Sequence, residues 1–509
     1  MDSLLSLRRS ALIYGLCLPL AILLGYVLAR PGNFMSLAVI ALTLGIMSLP
    51  LLMRWHHQLL ILSWNASLIV PFLPGQPDWW MCLSFISLSF VVLQRIMTKK
   101  GEYLRAPSVT FWICFILITV VVTAQLTGGI GARAIGSAAY GGKRYLYVFS
   151  AVLGYFALIG TRIRPEHARF LAEGFFLSGT TSAISDLAYL VGPKFYFVYY
   201  LFPAGLAYSQ AVGEELSLGR FAGISFGAQA AMVALVARFG FKGLLALSTP
   251  WRFPLFLALL AASLFGGFRS SLILSVVFFI FQLYFERLFT ARNVAIVAGL
   301  LVLSLVLLAN FATKLPAPVQ RAVSFLPVSV DENVRLDAAG TAEWRWLMWR
   351  TLLPDIPKYF WLGKGFSFSA TDMYLTQESI RRGYSPEYEF TLINGNYHNG
   401  ILTVIIPFGI WGMIGLLGFL TAAVRVLYFN YRNGDPSLQT FNTLLISWFL
   451  ARLVMYFTVF GAFDSDFRSL VGLLGLSLAL NGGVRTLREK PEGELSARTR
   501  EISLSTAAE

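Results

Sequence analysis

Charge is scarce in this chain. Of 509 residues, 13% are Asp, Glu, Lys or Arg and 57% are hydrophobic, a balance that soluble globular domains do not keep. Histidine and cysteine are scarcer still, at four and three residues. Cys17, Cys82 and Cys114 all fall inside apolar runs without metal-ligand spacing, so they read as packing residues. No HExxH motif or outer carboxylate cluster argues for a metal. Acidic residues are the last shortage, 26 against 40 basic, for a net charge of +14. In a membrane protein that excess reflects Lys and Arg retained in cytoplasmic loops, so no nucleic-acid partner is expected.

Long apolar runs are what the chain has instead. About fourteen membrane helices are expected, near residues 11–29, 34–53, 58–73, 79–97, 108–126, 145–161, 169–190, 221–238, 253–267, 271–286, 294–313, 400–424, 440–460 and 467–484. Residues 12–29 follow Arg8 and Arg9 and are long enough to span, so they read as a first helix with a cytoplasmic N-terminus, not a cleaved leader. Every alternate loop then carries the basic residues: Arg54; Lys99, Lys100 and Arg105; Arg162, Arg164 and Arg169; Arg238, Lys242 and Arg252; Arg287 and Arg292; Arg425 and Arg432; and the tail from Arg485. The alternation requires that residues 191–219 not span. Rich in Tyr and Phe and broken by Pro193 and Pro203, they read as interfacial or re-entrant on the outer face. If they span, the topology after them inverts or a neighbouring helix is misplaced.

The expected fold is all-α and polytopic. Residues 1–313 carry transmembrane helices with outer loops at 126–143 and 191–219. Residues 314–396 form a large outer loop, 397–484 the last transmembrane helices and 485–509 a cytoplasmic tail. The Gly-rich loop 126–143 delivers Lys143 and Arg144 to a helix start. In the long loop, 343–353 sets Trp344, Trp346 and Trp349 among Arg345 and Arg350, which suits an interfacial helix. A loop of this length is functional or disordered, and its aromatic content argues against disorder.

Chemistry is expected around residues 394–418. His398 and Asn399 stand at the lip of an apolar run containing Pro407 and the glycine stripe Gly409, Gly412, Gly415 and Gly418. The stripe admits a close helix neighbour, Pro407 predicts a kink, and the helix start favours an anion. His56, His57 and His167 fall in short basic inner loops; His398 alone faces out. Arg144, Arg220, Arg269 and Arg345 are also outer, against the positive-inside rule. One of them alone reads equally well as an Arg snorkelling to headgroups, but a guanidinium also presents a fork of donors suited to phosphate oxygens. Arg452, Asp186 and Glu173 lie within helices, where charge marks a site, a pathway or an internal pair. Asp464 and Asp466 occupy a short outer turn.

His398-Asn399, nine residues, then Gly409-x-x-Gly412, just after a long outer loop, resembles the O-antigen ligase and O-antigen polymerase superfamily. The Phe268-Arg269-Ser270 turn resembles that family's Ser-Arg element, with the Ser following instead of preceding. Arg345 resembles its loop Arg, and Arg220-Phe-Ala-Gly223 its Arg-x-x-Gly segment without the Asn-Pro that often follows. The resemblance covers mainly residues 220–420. It implies a glycosyltransferase of the bacterial inner membrane with its site facing the periplasm. Such an enzyme takes a glycan from undecaprenyl diphosphate to a sugar hydroxyl on an acceptor glycolipid, without cofactor or essential metal. Arg269 and Arg345 would clamp the diphosphate, with Arg144 and Lys143 as outer helpers and Arg220 as a further contact. His398 would act as base or orient the acceptor hydroxyl, and Asn399 would fix a sugar or the imidazole.

The acceptor stays open: lipid A-core for a ligase, a second lipid-linked glycan for a polymerase. A flippase or other transporter would suit Arg452 and Asp186, but no inverted repeat is visible. A non-catalytic assembly scaffold would leave His398 and Arg269 dispensable.

Overall fold

The computed structural model describes residues 34–98, 104–131, 139–208, 219–246 and 248–485, with positions 14, 15, 17–19, 21, 22 and 25 before them. Most of the first expected helix, Lys99 and Lys100, residues 132–138 and 209–218, and the tail after Arg485 lie outside the described residues.

Helix dominates. In chain order the helices are α1 (Phe34–Ser63), α2 (Trp79–Thr98), α3 (Pro107–Leu126), α4 (Gly142–Leu158), α5 (Pro165–Leu177), α6 (Ala183–Val191), α7 (Ala222–Leu244), α8 (Arg252–Ala262), α9 (Arg269–Phe285) and α10 (Ala291–Phe311). The long loop then carries α11 (Ala317–Val323), α12 (Glu332–Leu352), α13 (Ile356–Tyr359), α14 (Ala370–Arg381) and α15 (Tyr388–Asn394). The chain returns through α16 (Leu402–Asn433), α17 (Gln439–Thr458) and α18 (Phe463–Asn481). Among the described residues five helical segments are long and apolar enough to cross a bilayer: Trp79–Met97, Pro107–Leu126, Ala222–Leu244, Leu402–Asn433 and Pro436–Thr458. This is an all-α membrane protein, with fewer helices meeting that standard than the apolar runs predict.

Three expected elements come out differently. The helices expected at 34–53 and 58–73 are one, α1, which ends at Ser63. The Arg-Trp-His-His stretch expected to separate them contains no helix breaker. His56 and His57, expected in a solvated or interfacial loop, are buried instead: His56 Nδ1 meets Ser87 Oγ at 2.8 Å and His57 Nε2 meets the Leu158 carbonyl at 3.0 Å. The helix expected at 169–190 is broken by a 3₁₀ stretch, Ser178–Ser182. There the Ser178, Thr180, Thr181 and Ser182 hydroxyls donate back to carbonyls three residues earlier, at 2.7–2.9 Å. Such bonds compete with the α-helical ladder and tighten it. Beyond α6 the aromatic segment begins with a short 3₁₀ helix, Pro193–Tyr200, which is itself too short to cross a bilayer.

The kink expected at Pro407 sits two residues later, at Gly409, where φ is +61° inside α16. The long loop fills the break with its own backbone. Lys364 N–H donates to the Ile406 carbonyl and Gly365 N–H to the Pro407 carbonyl, both at 2.9 Å, while Ile410 N–H donates to the Phe360 carbonyl at 2.7 Å. The groups freed by the kink are thereby satisfied, and the loop is locked to the membrane helix just below His398. The approach needs glycine: a Cβ on Gly363 would lie 2.1 Å from the Pro407 carbonyl oxygen, and its φ is +79°. Gly363→Ala is expected to destabilise the protein by about 2 kcal/mol or more, read as a lowered thermal midpoint in detergent. Farther along α16 the stripe packs on α3, where a Cβ on Gly418 would meet Trp112 at 2.3 Å.

The loop is tied down elsewhere too. Ala139–Tyr140, ending the Gly-rich loop, pairs antiparallel with Phe368–Ser369 in the register Ala139↔Ser369. At the other ends of the last three helices, Asn442 and Asn481 exchange amide hydrogen bonds at 2.8 and 3.0 Å, and Asn430 Nδ2 donates to Ser477 Oγ at 3.0 Å. Buried amides paired in this way fix the register of α16, α17 and α18.

Candidate functional site

The site forms where the turn between α8 and α9 meets the long loop. Gly266 and Gly267 expose carbonyls there, and two arginines from other segments take them. Arg220 Nε donates to the Gly266 carbonyl at 3.0 Å, and Arg321 Nη1 to the Gly267 carbonyl at 2.7 Å. Arg220 also stacks its guanidinium 4.6 Å from the centre of the Phe268 ring. Arg269 starts α9 and reaches across to the Ala338 carbonyl of α12, Nη2 to O 2.7 Å. Arg321 is buried and fully engaged, with Nε on Asp337 Oδ2 and Nη2 on Thr341 Oγ1 at 2.9 Å.

These arginines line a cavity of about 960 Å³ together with Arg345, Trp344, Asp337, Glu387 and His398. Four guanidinium groups against two carboxylates leave it cationic, and one of the carboxylates, Asp337, is already occupied by Arg321. Burial beside Arg321 pulls Arg220 down to about 10, so it stays charged at neutral pH. Arg345 is also lowered, first by burial and then by repulsion from Arg269 and Arg321. Its Nε is buried without a hydrogen-bond partner among the described residues. Crowded cations of this kind repel one another unless a polyanion sits among them.

His398 comes from the turn before α16. Its φ is +50°, a left-handed conformation that costs a non-glycine residue about 1–3 kcal/mol and persists only where the surroundings enforce it. Here they do. The ring lies between Trp344 (5.6 Å between centroids) and Phe460 (4.9 Å). Trp349 Nε1 holds the preceding Tyr397 carbonyl at 2.8 Å, and Asn399 Oδ1 accepts from Ile401 and Leu402 N–H at 3.0 and 3.1 Å. Burial, then the nearby Arg345, push the imidazole down to about 4, so it is neutral at physiological pH. Nδ1 is buried without a partner, which leaves Nε2 as the ring nitrogen able to meet a ligand.

Of the residues singled out in the sequence, the fold brings His398, Arg269, Arg345 and Arg220 to this one cavity. Asn399 sits beside it as the cap of α16. Arg144 and Lys143 do not line it. Arg144 is a tether: Nη1 donates to the Asn394 carbonyl at 2.9 Å, Nη2 meets Asp464 at 3.2 Å, and the guanidinium covers the Phe366 ring at 4.1 Å. Lys143 is exposed beside it. Arg452 pairs with Asp466 at 2.8 Å. Sequence reasoning missed Arg321 and Trp344 as site residues; Arg321 is one more basic residue in an outer loop, the same signal that drew attention to Arg220 and Arg345.

Fold and cavity together define a polytopic helical membrane protein with a cationic, histidine-bearing site fed by a long loop. Residues 216–417 match the family model described as O-Antigen ligase. The match covers less than half of the chain and makes that part similar to O-antigen ligases, and the matched segment contains all four cavity arginines and His398. No curated protein matches the chain.

Proposed function

We propose that the protein transfers a glycan from undecaprenyl diphosphate to a sugar hydroxyl of an acceptor glycolipid, on the periplasmic face of the bacterial inner membrane and without a metal. The observation that carries this reading is the convergence of Arg220, Arg269, Arg321, Arg345 and His398 on one cavity from five separate stretches of chain. The bond between the anomeric carbon and the diphosphate oxygen breaks as the acceptor oxygen bonds that carbon. The departing charge falls on guanidinium groups already in place, which need little reorganisation. Arg321, committed to its carbonyl, Asp337 and Thr341, holds the frame; Arg269 and Arg345 meet the phosphates, with Arg220 beside them. The acceptor proton passes to neutral His398 at Nε2. A bound diphosphate offsets the repulsion from Arg345, so the imidazole becomes a stronger base only once donor is present.

Topology belongs to the same reading: both termini in the cytoplasm and residues 314–396 outside. Cysteine-accessibility labelling tests it, and labelling of loop and tail from the same side would overturn it. Within the superfamily we favour ligase over polymerase. Purified protein given donor alone should not extend it, and should transfer when lipid A-core is supplied. A ladder from donor alone would establish the polymerase instead, and EDTA should leave either activity unchanged. The pH dependence checks the histidine. The acid limb of kcat/KM, which reports the free enzyme, should fall near pH 4 rather than near 6.5, with kcat turning down at a higher pH because bound diphosphate raises the imidazole.

A further inference from the structure

A second cavity, of about 370 Å³, lies next to the first among α4, α7, α17 and α18. The partition is aromatic: Phe226 lines the second cavity, Phe268 lines the arginine cavity, and their rings stack at 5.5 Å and 14°. Its charges are balanced. Arg452 pairs with Asp466, Arg468 stands 3.8 Å from Asp78, and Tyr147 donates its hydroxyl to the same Asp78 carboxylate. The arginine cavity next to it is cationic; this one is not.

What the second cavity has in excess is N–H donors. The Nε atoms of Arg452 and Arg468 and the Nε2 of Gln229 are all buried with no acceptor among the described residues, and Gln229 is only 9% exposed. One such unpaired donor costs about 1–3 kcal/mol. Three around one cavity therefore have a reason outside the folding of the chain. A leucine at position 229 would fill the same wall at lower cost.

We propose that this cavity is a saccharide subsite, holding a neutral sugar unit of the glycan whose reacting end lies in the arginine cavity. It rests on the transferase reading above. Balanced charge disfavours a phosphate or a carboxylate. Unpaired donors suit hydroxyl and ring oxygens, the Phe226 face suits the C–H face of a sugar, and the volume suits a small ligand. The aromatic partition places the sugar next to the clamp without exposing it to the guanidinium cluster.

The test uses full-length protein in lipid nanodiscs and, as probe, the lipid-free, phosphate-free oligosaccharide released from the cell's own lipid-linked pool. Binding is followed by intrinsic tryptophan fluorescence and stability by thermal unfolding. Gln229→Leu removes the unpaired amide, and Ala230→Leu fills the cavity from the same helix. Both should weaken saccharide binding by about tenfold, the worth of a hydrogen bond or a steric block, with Gln229→Leu melting no lower than wild type. Should one leucine variant fail to fold, the other decides, together with Gln229→Asn, which keeps the amide but shortens its reach. Arg269→Lys should leave this binding unchanged. Wild-type affinity in the folded variants, or no binding by the wild type, overturns the subsite. Binding that the leucine variants lose, in a protein that transfers no glycan, overturns the transferase reading and leaves the subsite standing.

Discussion

Arg269→Lys should lower glycan transfer by about a hundredfold or more, close to the loss in Arg269→Ala, a loss expected when a charge-stabilising donor is removed from a preorganised site. The charge survives this substitution; the geometry does not. Arg269 spends one Nη on the Ala338 carbonyl and keeps the other edge of its planar fork for the cavity, so it both anchors α12 and meets the ligand. An ammonium has no such fork and cannot do both. Expression and thermal midpoint should stay near wild type, because loss of one carbonyl hydrogen bond is worth about 1 kcal/mol. A lysine variant with wild-type turnover would show that charge alone suffices, and the diphosphate-clamp model would fall.

His398 offers an experiment in which stability and activity part company. Asn tolerates a positive φ and Ala does not, so at φ +50° His398→Asn should be more stable than His398→Ala by about 1 kcal/mol. Both should lose transfer by about 10² to 10⁴, the range for removal of a general base. If transfer instead tracked stability across the pair, His398 would be a backbone device, and the imidazole would have no chemical part. Near-full activity in either variant would remove it from the mechanism altogether.

Much of this site was legible before any coordinates. The loop charges and rarity mark out His398, and Arg220, Arg269 and Arg345 stand out because the same loop charges predict them on the outer side, where the positive-inside rule does not call for basic residues. Arg144 carried the same signal for a different reason. Its guanidinium ties the α4 start to Asn394 and Asp464, and nothing in a one-dimensional charge pattern separates a tether from a ligand contact. Arg321 stands in the same long loop as Arg345 and carries the same signal in the sequence. Only the fold shows that its N–H groups brace the turn before Arg269.

The sequence by itself determined the solvent and the class: apolar runs too long and too many for water, and basic residues concentrated in alternate stretches between them. Both follow from transfer energies that act residue by residue and need no neighbours. The tertiary structure decided what depends on backbone satisfaction. α1 runs on through Arg54 because nothing there breaks a helix. α5 and α6 separate because four hydroxyls compete for the carbonyl ladder, and the long loop docks into α16 because a kinked helix leaves polar groups that only another backbone can meet. That docking holds the loop just below His398, and the bonds of Arg220, Arg269 and Arg321 to distant carbonyls complete the cavity. Such long-range pairing is invisible to any reading that takes the chain one window at a time.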